Sequence, residues 1–135
     1  MRTYIGTKIV EAEPCEMSGT PGYKVVYPDG YESWSPQAVF EEAYRPVTGV
    51  NFGLALEAAK KGYRIARAGW NGKLQWVELG KNLYYQREGE EFQRAVHEDI
   101  GSQALVFCGT RGRQVGWLAS QADMLADDWM ILGRC

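Results

Sequence analysis

The stretch "NFGLALEAAKKGYRIARAGW", residues 51–70, predicts a helix that is followed at once by a strand. Asn51 is a favourable N-cap, and Gly62 is a typical stop because glycine takes positive φ without steric cost. Residues 63–70 then alternate as a half-buried strand does. The helix is amphipathic by the i, i+3, i+4, i+7 rule, with an apolar side formed by Phe52, Ala55, Leu56 and Ala59.

Further along the chain, two hairpins are predicted. "LQWVEL", residues 74–79, returns as the partner of the first strand. "QALVFCG", residues 103–109, pairs with "RQVGWLA", residues 113–119, around the turn Thr110-Arg111-Gly112. Antiparallel pairing is therefore expected throughout this part of the chain.

A second short helix is predicted in "SQADMLADDW", residues 120–129. Ser120 stands in N-cap position and Asp123 follows three residues later, which is typical of a capping box. "WMIL" then closes the chain as a strand or an apolar tail. Between the two hairpins, "LYYQ" predicts a strand and "EEFQRAVHED", residues 90–99, predicts a helix.

Residues 1–47 are interpreted as a separate β-hairpin/helix unit ahead of a domain at 48–135. "YIGTKIV", residues 4–10, predicts a strand, and Pro28-Asp29-Gly30 predicts the turn between two more. A short helix should follow in "SPQAVFEEAYRP", with Ser35 as N-cap and Pro36 in its first position. Its apolar side would be formed by Val39, Phe40 and Ala43. The fold class predicted for the whole chain is α+β, with small antiparallel sheets and short helices.

Composition excludes several classes of protein. The chain has 135 residues, 45% of them hydrophobic, so it can build a core without metal or disulfides. A net charge of −2 argues against long nucleic acid as a partner, because binding of that kind requires an excess of Lys and Arg. No apolar run has the length of a signal peptide or a membrane span, so a cytosolic, membrane-free protein is expected. The three dispersed cysteines are interpreted as reduced thiols.

Residues that carry chemistry are sparse. The one histidine, His97, has no partner at metal-ligand spacing, and no phosphate-binding loop motif occurs. Adjacent carboxylates such as Asp127-Asp128 point in different directions on a helix, so they do not predict a shared proton. No catalytic residue, cofactor or metal is therefore predicted.

One group of aromatic, polar and basic residues suits the binding of a nucleotide-sized ligand. Trp70, Asn71 and Trp117 lie at turns or strand ends, whereas Ser120, Gln121 and Asp123 begin a helix. Aromatic rings for stacking, amides and hydroxyls for directional bonds, and arginines for phosphate together make such a site. Trp70 could equally be a core side chain. The arginines in question are Arg64, Arg67, Arg111 and Arg113.

Two motifs resemble a phage-encoded family of anti-defence sponges directed against the Thoeris system. The helix and turn "FGLALEAAKKGYRIARAGWNG" and the segment "WLASQADMLADDW" are similar to the family pattern and stand in the same order. The first unit is similar to a leader found ahead of this domain in some phage proteins. The chain departs from the pattern between residues 80 and 114.

The resemblance implies binding rather than catalysis. Such proteins hold a cyclic ADP-ribose isomer made by a TIR-domain enzyme and do not cleave it. They are homotetramers that act in the cytoplasm of the infected bacterium. On this basis Trp70 is predicted to be a partly exposed stacking platform, and Trp76 and Trp129 to be core residues. The predicted ligand-binding residues are Phe52, Arg67, Trp70, Asn71, Trp117, Ser120, Gln121, Asp123 and Met124.

Other functions stay open at this stage. A cyclic di- or trinucleotide is the alternative ligand within the same class. A small nucleotide hydrolase would use Asp123, Asp128 or His97, and turnover would reveal it. A protein-interaction module of the phage would show no response to nucleotides.

Overall fold

The computed structural model describes residues 1–70 and 74–135 and divides into two compact units, Met1–Pro46 and Val47–Cys135. Every strand pair in its sheets is antiparallel, and the helices are short. The predicted α+β class is confirmed. Among the described residues, no helix has the length and apolarity that crossing a bilayer requires.

The first unit is a three-stranded sheet with one helix. The strands are β1 (Glu11–Pro14), β2 (Gly22–Val26) and β3 (Glu32–Pro36), paired in that order, and α1 (Gln37–Ala43) follows. The predicted hairpin around Pro28-Asp29-Gly30 joins β2 to β3 and is confirmed.

Three details of the first unit were predicted wrongly. Residues 4–10 form no strand, and Tyr4 and Ile5 are exposed, so their apolar pattern has no core to face. Ser35 stays in β3 and does not cap α1; Pro36 takes the N-cap position, and the Ser35 hydroxyl donates to its carbonyl instead. Of the apolar side predicted for α1, only Phe40 is partly buried, because Val39 and Ala43 are exposed.

The second unit contains the larger sheet, whose strand order is β10-β4-β5-β8-β9. A two-stranded sheet, β6-β7, lies apart from it. The elements of this unit are α2 (Phe52–Lys60), β4 (Tyr63–Arg67), β5 (Trp76–Lys81), β6 (Tyr84–Tyr85), β7 (Gln93–Arg94), β8 (Gln103–Gly109), β9 (Gly112–Val115), α3 (Gln121–Leu125) and β10 (Trp129–Arg134).

Helix α2 packs on this sheet as its sequence predicts. The Asn51 side chain accepts a hydrogen bond of 2.8 Å from the Leu54 amide, so it is the N-cap. After the helix, Gly62 has a φ of 96°, which a residue with a side chain rarely adopts. The buried residues of α2 are small, so the helix lies close to the strands; they are Ala55, Ala58 and Ala59.

The sheet supplies the other half of the core. Ile65 of β4 and Val77 of β5 stand opposite each other, and both are fully buried. Burying such side chains contributes about 1.5–3 kcal/mol each. The predicted pairing of β4 with β5, the hairpin β8-β9, helix α3 and the final strand are all confirmed.

The helix predicted for residues 90–99 is wrong. This segment instead contains β7, which pairs with β6, and its end makes a bridge between His97 and Gly101. Phe92 and Val96 have helical spacing, but both are exposed. A short helix with no buried face is marginal in water, so strand pairing satisfies the backbone instead.

Candidate ligand-binding site

Four aromatic rings meet at one end of the larger sheet, and we call them the aromatic cluster: Trp70, Phe107, Trp117 and Trp129. The Trp70 ring centroid lies 5.4 Å from that of Trp129, 5.5 Å from Phe107 and 6.1 Å from Trp117. Trp129 is fully buried, whereas the other three are partly exposed. The cluster therefore has a buried floor and an accessible upper layer.

Trp129 forms the buried floor of the aromatic cluster, and residues of several elements hold it in place. It begins β10 opposite Arg67, and its backbone exchanges hydrogen bonds with Val50. Its indole Nε1 donates to the carbonyl of Asp123, 2.8 Å away. The ring of Phe52, the first residue of α2, lies 5.2 Å from the Trp129 ring. The prediction that Trp129 is a core residue is confirmed.

Trp70 occupies the turn after β4 and leans edge-on against Trp117 and Trp129. It is partly exposed, so it is not sealed in the core. Edge-to-face contacts of this kind fix a ring while leaving part of its surface free. Its stacking role stays a prediction.

Trp76 was predicted to be a core residue, and this is wrong. It is only half-buried, with the Arg64 guanidinium 5.2 Å above its ring and its own Nε1 donating to Glu78 at 2.9 Å. Val77, the next residue, is the one that points into the core. Alternation along β5 therefore places Trp76 on the opposite face of the sheet.

An ion cluster lies beside the aromatic cluster, formed by Arg67, Asp123 and Asp128. The Arg67 Nε lies 2.9 Å from Asp128 Oδ1, and its Nη1 lies 3.1 Å from Asp123 Oδ1. One guanidinium thus joins the start of α3 to the residue before β10. The cluster as a whole carries one net negative charge.

Helix α3 begins with the predicted capping box, which is confirmed. The Asp123 amide donates to the Ser120 hydroxyl at 3.1 Å, and the Ser120 amide donates to Asp123 Oδ2 at 3.0 Å. Both Asp123 oxygens are therefore occupied, one by the helix start and one by Arg67. Gln121 and Met124 are exposed on the same short helix.

The two carboxylates of the ion cluster are ionised at neutral pH. Partial burial of Asp123 opposes ionisation, but hydrogen bonds from Ser120 and Arg67 outweigh it and lower its pKa. The hydrogen bond from Arg67 lowers the pKa of Asp128. Carboxylates of this kind accept hydrogen bonds from hydroxyl and amino groups, but they hold no proton to donate as general acids near pH 7.

The cationic side of the site differs from the expectation drawn from sequence. Arg67 was expected to serve a phosphate, yet its Nε and Nη1 donate to two carboxylates. Its charge is therefore largely compensated before any ligand arrives. Arg64 lies on Trp76, on the other face of the sheet, and its Nε donates to the Gly133 carbonyl at 3.4 Å.

The structure brings most of the predicted site residues together around the two clusters. Phe107 was not singled out from sequence; it stands opposite Val77, so the register of β5 with β8 would have revealed it. Asn71 lies outside the described residues. Gln121 and Met124 lie on α3 beside the other predicted residues. Ring contacts and hydrogen bonds, several of them through Trp129, connect those others: Phe52, Arg67, Trp70, Trp117, Ser120 and Asp123.

Elsewhere, Cys108 donates to Glu78 Oε1 at 3.0 Å. Burial and the neighbouring Glu78 raise the pKa of Cys108 to about 11, so its thiolate is scarce at neutral pH. Within residues 1–70 and 74–135, no three His, Cys, Asp or Glu side chains converge as ligands for a metal ion.

Fold and site together define a small antiparallel α+β domain with an aromatic cluster and an adjoining arginine–carboxylate cluster. A family model described as a Thoeris anti-defense 2-like domain (Tad2-like) matches residues 50–132. The chain is also 33% identical over 87 residues to Thoeris anti-defense 2 of Bacillus phage SP01, which covers 63% of this chain and 97% of that protein. The chain belongs to the Tad2-like family, and the resemblance noted in its sequence is confirmed.

Proposed function

We propose that this protein protects a phage from Thoeris defence by binding and sequestering the TIR-derived signal, a cyclic ADP-ribose isomer, without cleaving it. Membership of the Tad2-like family supports the anti-Thoeris role. The protein would act in the cytoplasm of the infected host.

The observation that carries the proposal is the partly exposed Trp70, held edge-on against the buried Trp129. A purine ring can stack on an indole fixed in this way, which is worth about 1–3 kcal/mol per base. Because the rings below are packed in the core, the platform does not have to be ordered on binding, and the entropic cost falls.

The polar groups beside the rings suit the nucleoside part of the ligand. Gln121 offers an exposed amide on α3, which would bind ribose hydroxyls or base edges. Asn71, predicted from sequence for the same task, lies outside the described residues. Because Arg67 already serves two carboxylates, the pyrophosphate requires cations in addition to it. We propose that the protein is a homotetramer and that a neighbouring protomer helps to complete the pocket.

The protonation state of the site supports sequestration over hydrolysis. Cleavage of a glycosidic bond needs a carboxylic acid that can protonate the leaving group. The lowered pKa values of Asp123 and Asp128 leave both groups ionised, so neither can supply that proton near pH 7. To compete with a receptor for its signal, the protein needs nanomolar affinity, about −12 kcal/mol.

Calorimetric titration against a panel of cyclic ADP-ribose isomers and cyclic di- and trinucleotides tests this proposal. We expect tight binding of a cyclic ADP-ribose isomer and a roughly 5- to 150-fold loss in Trp70→Ala, from the stacking energy above. Trp76→Ala is the matched control, because it removes a half-buried indole from the opposite face of the sheet.

Three results would contradict the proposal. Tight binding of a cyclic dinucleotide and of no cyclic ADP-ribose isomer would show that the proposed ligand is wrong. The absence of any heat of binding with every nucleotide tested would favour a protein-interaction module. Equal affinities for wild type and Trp70→Ala would remove Trp70 from the site. Thermal unfolding of each variant establishes that it is folded at the temperature of the titration.

A further inference from the structure

One residue from outside β4 holds the turn that carries Trp70, and this residue is Asp128. It lies directly before β10, 61 positions from Arg67 in the sequence. Its carboxylate oxygen Oδ1 accepts a hydrogen bond of 2.9 Å from Arg67 Nε, and its backbone carbonyl accepts one of 3.0 Å from the Ala68 amide. The Gly69 amide donates to the same carboxylate. Asp128 therefore bonds to the three consecutive residues that precede Trp70.

The hydrogen bond that closes the turn from within is long. The Trp70 amide donates to the Arg67 carbonyl at 3.3 Å, beyond the usual range of about 2.7–3.2 Å. Ala68 and Gly69 are exposed, and neither has a side chain large enough to anchor the chain in a core. The direction in which the backbone leads into Trp70 is therefore set mainly by the bonds to Asp128.

Both oxygens of the Asp128 carboxylate take part in this contact. A Cβ atom placed on Gly69 would lie 3.6 Å from Oδ2, an ordinary contact distance, so this oxygen faces Gly69 while Oδ1 faces Arg67. The bond from Arg67, with a smaller contribution from the Gly69 amide, lowers the pKa of Asp128, although partial burial opposes this. The carboxylate is thus ionised at neutral pH and accepts from both donors at once. The charged groups that face it are Arg67 and, beyond that guanidinium, Asp123.

The residue after Asp128 is Trp129, the floor of the aromatic cluster. Trp129 pairs with Arg67 across β10 and β4, and its ring lies 5.4 Å from that of Trp70 at an interplanar angle of 77°. Two neighbouring residues thus fix both parts of the platform: Trp129 packs against the Trp70 ring, and Asp128 holds the turn from which that ring extends. A change in the bonds of Asp128 would therefore alter how the two rings meet.

We propose that Asp128 is a positioning residue for the Trp70 platform, holding the turn so that the Trp70 ring stays edge-on against Trp129. This inference rests on the proposed function for the ligand that uses the platform, whereas the contacts themselves exist without a ligand. Asparagine at position 128 has one side-chain oxygen, which would face Arg67 because a bond to a charged donor is the stronger one. Its NH₂ group would then face the Gly69 amide, and two donors cannot bond to each other. The turn would have to shift, and Trp70 with it.

Nuclear magnetic resonance of the isotope-labelled full chain tests this without a ligand, because each tryptophan gives its own indole N–H signal. The signal that is lost in Trp70→Ala identifies Trp70. We expect Asp128→Asn to shift that signal and to leave the signal of Trp76, on the opposite face of the sheet, in place. Asp127→Asn is the matched control, because it removes an exposed neighbouring carboxylate and should shift neither signal.

A second variant keeps this test decisive. The Asp128 side chain is 38% exposed, so replacing it leaves no cavity in the core. Asp128→Glu keeps the charge but lengthens the side chain by a methylene, and it should also shift the Trp70 signal. The contact is thus tested even if Asp128→Asn does not fold. A Trp70 signal that stays at its wild-type position in the folded variants would overturn the proposal.

Calorimetric titration with the cyclic ADP-ribose isomer then tests whether Asp128 acts through Trp70. Asp128→Asn should weaken binding by no more than the roughly 5- to 150-fold loss expected for Trp70→Ala. In the Trp70→Ala background, the same change should alter the affinity by less than about twofold, because the ring that it positions is gone. A full additional loss in that background would show that Asp128 contacts the ligand itself and would overturn the positioning role. A wild type that binds no nucleotide, with a Trp70 signal that still shifts in Asp128→Asn, would contradict the proposed ligand alone.

Discussion

Replacing Asp123 with asparagine should destabilise the second unit in a pH-dependent way. In the protein, one oxygen of Asp123 accepts from Arg67 and the other from the Ser120 amide. Asparagine has a single side-chain oxygen, so its NH₂ group must face one of these two donors. Either orientation loses one hydrogen bond and places two donors against each other.

The magnitude follows from the kind of bond lost. A hydrogen bond to a charged group contributes about 1.5–3 kcal/mol. The Asp123 side chain is 15% exposed and Arg67 22%, so solvent screening reduces this to about 1–2 kcal/mol. For a domain of this size, a loss of that order lowers Tm by about 4–16 °C.

The lowered pKa of Asp123 determines how the stability difference changes with pH. The pKa of Asp123 is lowered by folding, so its stabilisation is complete above the unfolded pKa of about 3.9 and is lost as pH falls through the lower folded value. The difference between wild type and Asp123→Asn should therefore be largest near neutral pH and shrink below about pH 4.

Urea unfolding followed by tryptophan fluorescence at several pH values measures this difference. Asp127→Asn is the matched control, because Asp127 is exposed and its substitution should change stability by no more than about 0.5 kcal/mol. A deficit for Asp123→Asn that is the same at pH 7 and pH 3.5 would refute the role assigned to its charge.

Three further predictions concern the same framework. Ser120→Ala removes the acceptor of the Asp123 amide and should cost about 1 kcal/mol in urea unfolding; an unchanged midpoint would contradict the capping role. Trp129→Phe keeps an aromatic ring but leaves the Asp123 carbonyl without its indole donor, so about 1–3 kcal/mol of stability should be lost, and a variant as stable as the wild type would show that this bond is dispensable. Cys108, buried and with its pKa raised to about 11, should stay unlabelled by iodoacetamide at pH 8 while Cys15 reacts; equal labelling in peptide mass spectra would argue against the buried, protonated thiol.

Local signals in the sequence were enough for much of the fold. Asn51 and Gly62 limit α2 because a side-chain acceptor and a positive φ are local requirements. The same holds for Ser120 at the start of α3. Each of these signals acts within four residues, so no knowledge of the tertiary structure is needed to read it.

The features that were predicted wrongly depend on contacts between residues that are distant in the sequence. The composition of residues 90–99 fits a helix, but its apolar residues Phe92 and Val96 are exposed, and β6 provides a pairing partner instead. Trp76 is apolar enough for a core, yet the register of β5 turns Val77 inward in its place.

Most residues of the candidate site could be predicted from the sequence, but the ion pairs among them could not. Trp70, Trp117 and Asp123 could be selected as turn and helix-start residues. The bond of Arg67 to two carboxylates joins residues 56 and 61 positions apart, and no local spacing predicts it. This pairing changes the interpretation of Arg67 from a phosphate ligand to a residue that positions Asp123 and Asp128.

The most direct test of sequestration is to recover the signal after binding. The protein is mixed with a cyclic ADP-ribose isomer, unbound ligand is removed by filtration, and the retained protein is denatured by heat before chromatography. We expect the cyclic compound to be retained and then released intact. Linear ADP-ribose in the released fraction, or all of the cyclic compound in the first filtrate, would contradict it.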